Sequence, residues 1–406
     1  MEHILVSSIM SHLESKKILK DNQHGFRKKR STETQLLELT DHLTANLDKG
    51  IQTDMIVLDF AKAFDKVNHS LLIYKLQHYG IRGEVKEWIK DFLHQRQQTV
   101  VVDGAQSSPI PVKSGVPQGS VLGPCLFLCY INDLPDVVTS ASNLFADDTA
   151  IHNDIIKPTD GLILQKDLDA LHEWEIMWDM SFHPDKCLVL RHCRSRTPII
   201  TSYSLHGQTL ETVPSSKYLG AIVQDDGEWK EHINQLAAKG NKLLGFVRRN
   251  MKIDNKQAKE QAYKMIIRQP LEYASSIWDP HQQTDITKLE NIQRRAARFV
   301  QGNFKQTSSV TAMINQLKWQ SLEQRRKDIR IKLLTKIIQD KVAVNKQHLI
   351  PATQRPRRTH DYQLKLITCN RNFRKYAFYP RTIRDWNALP ADSVPKDIDS
   401  FFGKSQ

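Results

Sequence analysis

Residues 54–60, DMIVLDF, and residues 143–152, NLFADDTAIH, decide how this chain is read. The first is an apolar run of strand length that ends on a carboxylate, Asp59. The second sets Asp147 and Asp148 inside an otherwise apolar stretch, which predicts a tight hairpin with carboxylates at its tip. An Asp-Asp pair is also common turn chemistry, and a lone strand-terminal aspartate is ordinary, so neither feature says much alone. Together, three carboxylates without Cys or His suit hard, oxygen-seeking cations such as Mg²⁺. Two such ions ~3.5–4 Å apart serve phosphoryl transfer.

Working outward, Ile4, Leu5, Ile9 and Leu13 fit an amphipathic helix, followed by a polar loop through Gln23 to Arg27. Thr32 and Gln35 have capping-box spacing, and Leu36, Leu39, Leu43 and Leu47 continue at helical intervals. Asn68 caps a helix with Leu72, Leu76 and Tyr79 inward, which Gly80 stops, and a second helix surrounds Trp88 and Phe92. TVVVDG (99–104) and PIPVKSG (109–115) predict a hairpin, and residues 119–131 a buried helix. After the carboxylate hairpin come a helix through Leu164, Leu168, Leu171 and Trp178 and strands at 187–192, 202–206 and 217–223. From about residue 229 the pattern is helical and basic to about 341, with breaks at Pro270 and Pro280. The tail from 350 has no clear pattern. There is no internal repeat.

The chain has 406 residues, 40% hydrophobic and 25% charged, which is globular rather than disordered composition. Its longest nearly apolar run, Val121 to Ile131, is 11 residues, against the ~20 that a membrane helix needs. Early charges at Glu2, Glu14, Lys16 and Lys17 argue against a secretory signal, and five cysteines without CxxC spacing suit a reducing, intracellular setting. The net charge of +13 is unevenly spread. Residues 1–238 carry 24 Lys and Arg against 31 Asp and Glu, whereas residues 239–406 carry 34 against 14. A basic half of that strength suits a polyanionic partner, nucleic acid first, or else a solvated helical surface.

The residues around the carboxylates narrow the reading. LDFAKAFDKVNH (58–69), SGVPQGSVLGP (114–124) and FADD (145–148) resemble, in that order, the A, B and C motifs of reverse transcriptases. The resemblance is nearest to the jockey-like non-LTR retrotransposons, the long interspersed elements. QHGFRKKRST (23–32) resembles the fingers motif upstream of A, HPDKC (183–187) motif D and KYLG (217–220) motif E. LEYASSIWDP (271–280), RRAARFV (294–300) and PRTIRDWNALP (380–390) are similar to the thumb and C-terminal portion. The resemblance implies an α+β right-hand polymerase palm and fingers over residues 1–228, a helical thumb over 229–345 and a basic C-terminal region over 346–406.

It also implies roles. Asp59, Asp147 and Asp148 would hold two Mg²⁺ ions, with Mn²⁺ as a substitute, and Lys186 would be the general acid for pyrophosphate. Arg27, Phe60, Phe64, Gln118 and Gly119 would bind the incoming nucleotide, Arg27 at the triphosphate and Phe64 as the gate against a ribose 2′-OH. Tyr218, Leu219 and Gly220 would form the primer grip. Arg294, Arg295 and Arg298, with Arg325, Arg326 and Arg330, would contact nucleic acid. Asp65 reads as a helix-start carboxylate, not a ligand. The implied partners are an RNA template, a DNA primer, their hybrid and deoxynucleoside triphosphates, with the nucleus as the family's usual workplace.

Two departures from the family pattern stand out. The basic segment that normally precedes the first helix is missing, as is a preceding endonuclease domain, so the chain reads as a 5′-truncated element copy. Three functions are consistent with the motifs: an RNA-directed DNA polymerase, a nucleic-acid-binding remnant without activity, and an RNA-templated RNA polymerase, against which Phe64 and the FADD form argue. The cluster Arg355, Arg357 and Arg358 reads equally as a nuclear signal or an RNA contact.

Overall fold

A computed structural model describes residues 1–352, 359–395 and 397–402. Arg355, Arg357 and Arg358 lie outside the described residues. The chain divides into two compact units, Met1–Gln35 with Ile51–Pro214, and Leu36–Gly50 with Ser215–Gln406. The expected boundaries at 228 and 345 therefore differ from this division: the tail shares a unit with the basic helices, and Leu36–Gly50 goes with them.

The first unit is α+β. Its sheet has five strands in the order Glu211–Val213, Leu188–His192, Gln52–Leu58, Asp148–Ile155 and Ala141–Phe145. Gln52–Leu58 is central and antiparallel to both neighbours, pairing Leu58 with Thr149 and Val57 with Leu188. Ile56, Leu58 and Ile151 from this sheet join one core with Leu72, Leu76, Leu126, Phe127, Leu164 and Leu168 from the helices. The helix Leu122–Ile131 is buried at nine of its ten positions, which explains its unbroken apolar sequence. Glu2 Oε2 accepts the Val121 and Leu122 N–H groups at 2.8 and 3.0 Å, so a carboxylate satisfies the start of this buried helix.

Several local expectations hold. Asn68 accepts from the Ser70 and Leu71 N–H groups and opens the helix His69–His78, after which Gly80 turns at φ +84°. The 99–115 region is a hairpin of short ladders, Gln97–Gln98 with Ile110–Pro111 and Val101–Val102 with Ala105–Gln106, closed at Asp103-Gly104. Others shift. The helix Thr32–Lys49 is capped one residue earlier than expected: Ser31 Oγ accepts the Thr34 N–H at 3.2 Å, and Thr34 Oγ1 accepts the Ser31 N–H at 2.8 Å. Ile4 faces solvent, because the helix Glu2–Ser15 buries only Ile9 and Leu13.

The second unit is mainly helical, with long helices at Lys230–Asn250, Gln283–Gln301 and Leu322–Ile338. The expected single strand at 217–223 is two strands, Ser215–Tyr218 and Ala221–Gln224, joined through Leu219 and Gly220. Both turn residues have positive φ, +45° and +82°, so Gly220 behaves as turn punctuation. Pro270 does not break the chain. The segment before it, Tyr263–Arg268, widens into a π-helix that absorbs the missing N–H. The tail contributes the helix Phe378–Asn387, whose Ile383 and Trp386 are fully buried.

Candidate active site

The three aspartates converge because two adjacent strands end at the same sheet edge. Asp59 directly follows the strand Gln52–Leu58, while Asp147 and Asp148 form the turn and first residue of the neighbouring strand. Phe145 pairs with Asp148 across the two-residue turn, in which Ala146 takes φ +54°. This is the expected hairpin with carboxylates at its tip.

Electrostatics marks the spot. Burial pushes the Asp147 carboxyl above the ordinary carboxylate range, and the Asp59 charge pushes in the same direction. Asp59 Oδ2 is shielded from solvent and receives no hydrogen bond. Lys186 Nζ sits 3.2 Å from it as an ion pair, but not at an angle that makes a hydrogen bond. Two mutually repelling carboxylates, one with an orphaned oxygen, form a donor set for a hard cation. A soft atom is also close: Cys187 Sγ accepts the Asp59 N–H at 3.5 Å. Burial pushes its thiol up to about 11, which keeps it protonated at neutral pH. The residues present thus fit divalent metal.

The backbone around Asp59 is braced on both sides. His183 N–H donates to the Asp59 carbonyl at 2.7 Å, which fixes the turn Pro184–Lys186 and brings Lys186 in. Phe64 lies on the short helix Ala63–Lys66, its ring stacked on Phe127 at 4.2 Å and edge-on to Phe26 at 6.4 Å. Gly115 crosses immediately behind: a Cβ there would lie 2.8 Å from Asp65 Cα and 2.9 Å from the Phe64 carbonyl. Gln118 Nε2 donates to Asp65 Oδ1 at 3.1 Å, which gives Asp65 a positioning task, and Gly119 has φ +86° with open space beside it.

Other expected site residues are elsewhere. Phe60 is buried, stacked on Phe182 at 4.2 Å and packed by Trp174, so it belongs to the core and not to a nucleotide pocket. Arg27 is also a correction. Its guanidinium grips Glu14 through Nε at 2.9 Å and Nη2 at 2.7 Å, and Nη1 donates to the Lys20 carbonyl at 2.6 Å. With its side chain 5% exposed, it pins the first helix to the following loop.

In the second unit, the turn of the KYLG hairpin is carried by Tyr273: its hydroxyl donates to the Leu219 carbonyl at 3.0 Å, and its ring lies over Gly220. Tyr218 and Leu219 are buried, so of the three expected primer-grip residues Gly220 is the exposed one. Arg294 and Arg295 are exposed, whereas half-buried Arg298 caps carbonyls of Lys305 and Ser308. The second basic group is the larger correction. Arg326 and Arg330 are buried on Asp279, at 2.6 and 3.0 Å, with Arg381 on the same carboxylate at 3.2 Å. Arg325 pairs with Glu272. Charge spacing on one helix cannot distinguish a phosphate-facing arginine from one whose aspartate lies 47 residues away.

Sequence reasoning also passed over Gln23 and Gly25, although their motif was recognised. His24 N–H donates to the Leu144 carbonyl at 2.8 Å and Leu144 N–H to the Asn22 carbonyl at 2.9 Å, stitching this loop along the FADD hairpin. A glycine between His24 and Phe26 is the one available signal, and it is explained by the close approach: a Cβ on Gly25 would lie 2.3 Å from the Ala146 nitrogen.

Residues 1–223 match the family model described as reverse transcriptase (RNA-dependent DNA polymerase). The chain belongs to the reverse transcriptase family. It is similar to the RNA-directed DNA polymerase from mobile element jockey of Drosophila funebris, 30% identical over 326 residues that cover 74% of this chain and 34% of that protein. The Drosophila melanogaster jockey polymerase is 27% identical over 319 residues, with the same coverage of each chain. The probable RNA-directed DNA polymerase from transposon BS of the same fly is 26% identical over 323 residues, again 74% and 34%. The chain therefore spans about a third of the length of the relatives it matches. The jockey-like, non-LTR character expected from the motifs is borne out, as is the α+β polymerase fold. Among the described residues no helix is long and apolar enough to cross a membrane.

Proposed function

We propose that this chain is the polymerase core of an RNA-directed DNA polymerase that adds deoxynucleotides to a primer 3′-OH. What supports the reading above all is the meeting of Asp59 and Asp147, where the Asp59 charge adds to burial in pushing the Asp147 carboxyl upward, beside Lys186 at a reverse transcriptase sheet edge. Two Mg²⁺ ions held by Asp59, Asp147 and Asp148, or Mn²⁺ in their place, would activate the primer hydroxyl and offset the charge on the leaving pyrophosphate.

The chain's own residues do the positioning. Phe64, backed by Phe127, presents a flat wall where a ribose 2′-OH would press. Gly119 leaves open backbone for a base to approach, and Gln118, held by Asp65, borders it. Lys186 holds a proton at Nζ for the departing pyrophosphate. The Leu219-Gly220 turn, steadied by Tyr273, would carry the primer end, and Arg294 and Arg295 would meet phosphates of an RNA–DNA hybrid. Chromosomal DNA as the primer source would place this work in the nucleus.

Extension of a DNA primer on an RNA template with Mg²⁺ tests the reading. Asp59→Asn and Asp147→Asn should each lower extension by orders of magnitude while hybrid binding persists, because the loss falls on charge stabilisation at the reacting centre. Parent protein that binds the hybrid without extending it would instead establish a binding remnant.

A further inference from the structure

A second cluster of metal-type donors lies outside the polymerase carboxylates. The helix Gly161–Met177 presents His172 and Glu175 one turn apart. His206 enters from the hairpin of Ser204–Leu205 with Gln208–Thr209. His206 and Gly207 both take positive φ, +53° and +76°, in a two-residue turn where Asn or Asp is the usual first residue. One donor atom from each of His172, Glu175 and His206 lies within 4.8 Å of the other two.

The donors are already sorted. Glu175 is 3% exposed, and one oxygen, Oε1, is oriented by the backbone N–H of Phe182. The other, Oε2, faces His206 Nε2 at 2.7 Å and His172 Nδ1 at 3.4 Å. The ion pairs of Glu175 among the described residues are with these two imidazoles. A buried carboxylate needs positive charge beside it, and imidazole supplies that only when protonated. A cation shared by the three groups would supply it permanently. Both histidine side chains are partly exposed, 47% and 26%, which opens a path from solvent and a fourth position for water.

We propose that His172, Glu175 and His206 bind one divalent cation of the borderline, imidazole-preferring class, for which Zn²⁺ is the probe. Two nitrogens and one oxygen with an open position are a common zinc donor set, and reaching ~2.0–2.2 Å bonds asks for shifts of roughly an ångström from the present contacts. The Phe182 N–H acts as the outer group that orients the carboxylate ligand. The ion would tie the helix to the hairpin, and through Phe182 would brace the segment whose His183 and Lys186 hold Asp59. The site does not depend on the polymerase reading.

The test uses the full chain carrying Asp59→Asn, Asp147→Asn and Asp148→Asn, so that the polymerase carboxylates hold no metal. After chelation and dialysis, Zn²⁺ is titrated calorimetrically, and Co²⁺ is added separately to read visible ligand-field bands. His172→Asn and His206→Asn are compared, since Asn tolerates the left-handed turn at 206 and keeps a polar side chain. The expected result is one Zn²⁺ per chain, at least a tenfold affinity loss in either variant, and Co²⁺ bands that vanish with them. Circular dichroism matching the parent shows that the variants remain folded. Equal Zn²⁺ stoichiometry and affinity in parent and variants, or no binding in the parent, overturns the proposal.

Discussion

Gln23 Oε1 accepts the backbone N–H of Ala146 at 2.8 Å and that of Gly25 at 2.7 Å, so one amide oxygen clamps the peptide immediately before Asp147. The clamp closes only because Gly25 has no Cβ. Gly25→Ala drives a methyl group into backbone and must displace the hairpin tip. Since a misplacement of about 1 Å can cost roughly 100-fold in rate, primer extension should fall by about that factor. Gln23→Leu strands the Ala146 N–H and should cost ~1–3 kcal/mol. Chemical denaturation and single-nucleotide extension measured on the same samples separate the two effects.

Arg27 is predicted to matter for stability more than for the nucleotide. Its partner Glu14 is 37% exposed, so Arg27→Ala should cost less than a fully buried pair, about 2 kcal/mol, or roughly 4–8 °C in melting temperature. The KM for a deoxynucleoside triphosphate should stay within about threefold of the parent if no triphosphate contact is lost. A large KM rise with an unchanged melting temperature would return Arg27 to the nucleotide.

Phe64→Val should raise ribonucleotide incorporation relative to deoxynucleotides, because removing the ring opens the wall backed by Phe127 at 4.2 Å. Competition assays on one template read the ratio directly. An unchanged ratio in a variant that still extends would make Phe64 a packing residue.

The two arginine groups should behave differently under salt. Arg294→Gln with Arg295→Gln should flatten the log–log salt dependence of hybrid binding by at most about two units, at ~0.7–0.9 per phosphate. Arg326→Met should leave Asp279 with Arg330 and Arg381 but without its shortest partner, and should lower stability instead. Fluorescence anisotropy across a salt series, paired with melting curves, distinguishes these outcomes.

Acid should weaken the second unit through His232. Burial lowers its pKa from 6.5 to about 4, and its Nδ1 accepts the Ile222 N–H at 3.2 Å, fixing the hairpin that contains Leu219 and Gly220. The unfolded chain takes the proton near pH 6.5 while the folded chain resists to about 4, so stability from this group falls as pH drops through that window. At about pH 4.5 the loss relative to pH 7 should be ~2–3 kcal/mol. Denaturant midpoints at the two pH values should show that difference reduced in His232→Gln.

Much of the candidate site's geometry is written locally. An apolar strand ending at Asp59, a two-residue turn before Asp148 and an Asn68 cap each depend on a few consecutive residues, so side-chain alternation and turn chemistry sufficed to find them. The motifs around these residues were enough to name the family. What tertiary structure alone decided was where charged and aromatic side chains spend their contacts. Phe60 and Phe64 are four residues apart with the same chemistry, yet Phe60 is buried against Phe182 while Phe64, stacked on Phe127, is only partly buried. Arg27, Arg326 and Arg330 carry the composition of phosphate binders but are consumed by Glu14 and Asp279. Their partners come from separate elements, and so does the junction of His206 with His172 and Glu175. A one-dimensional pattern carries periodicity and caps, but it holds no record of which distant carboxylate folding will bring against a given cation.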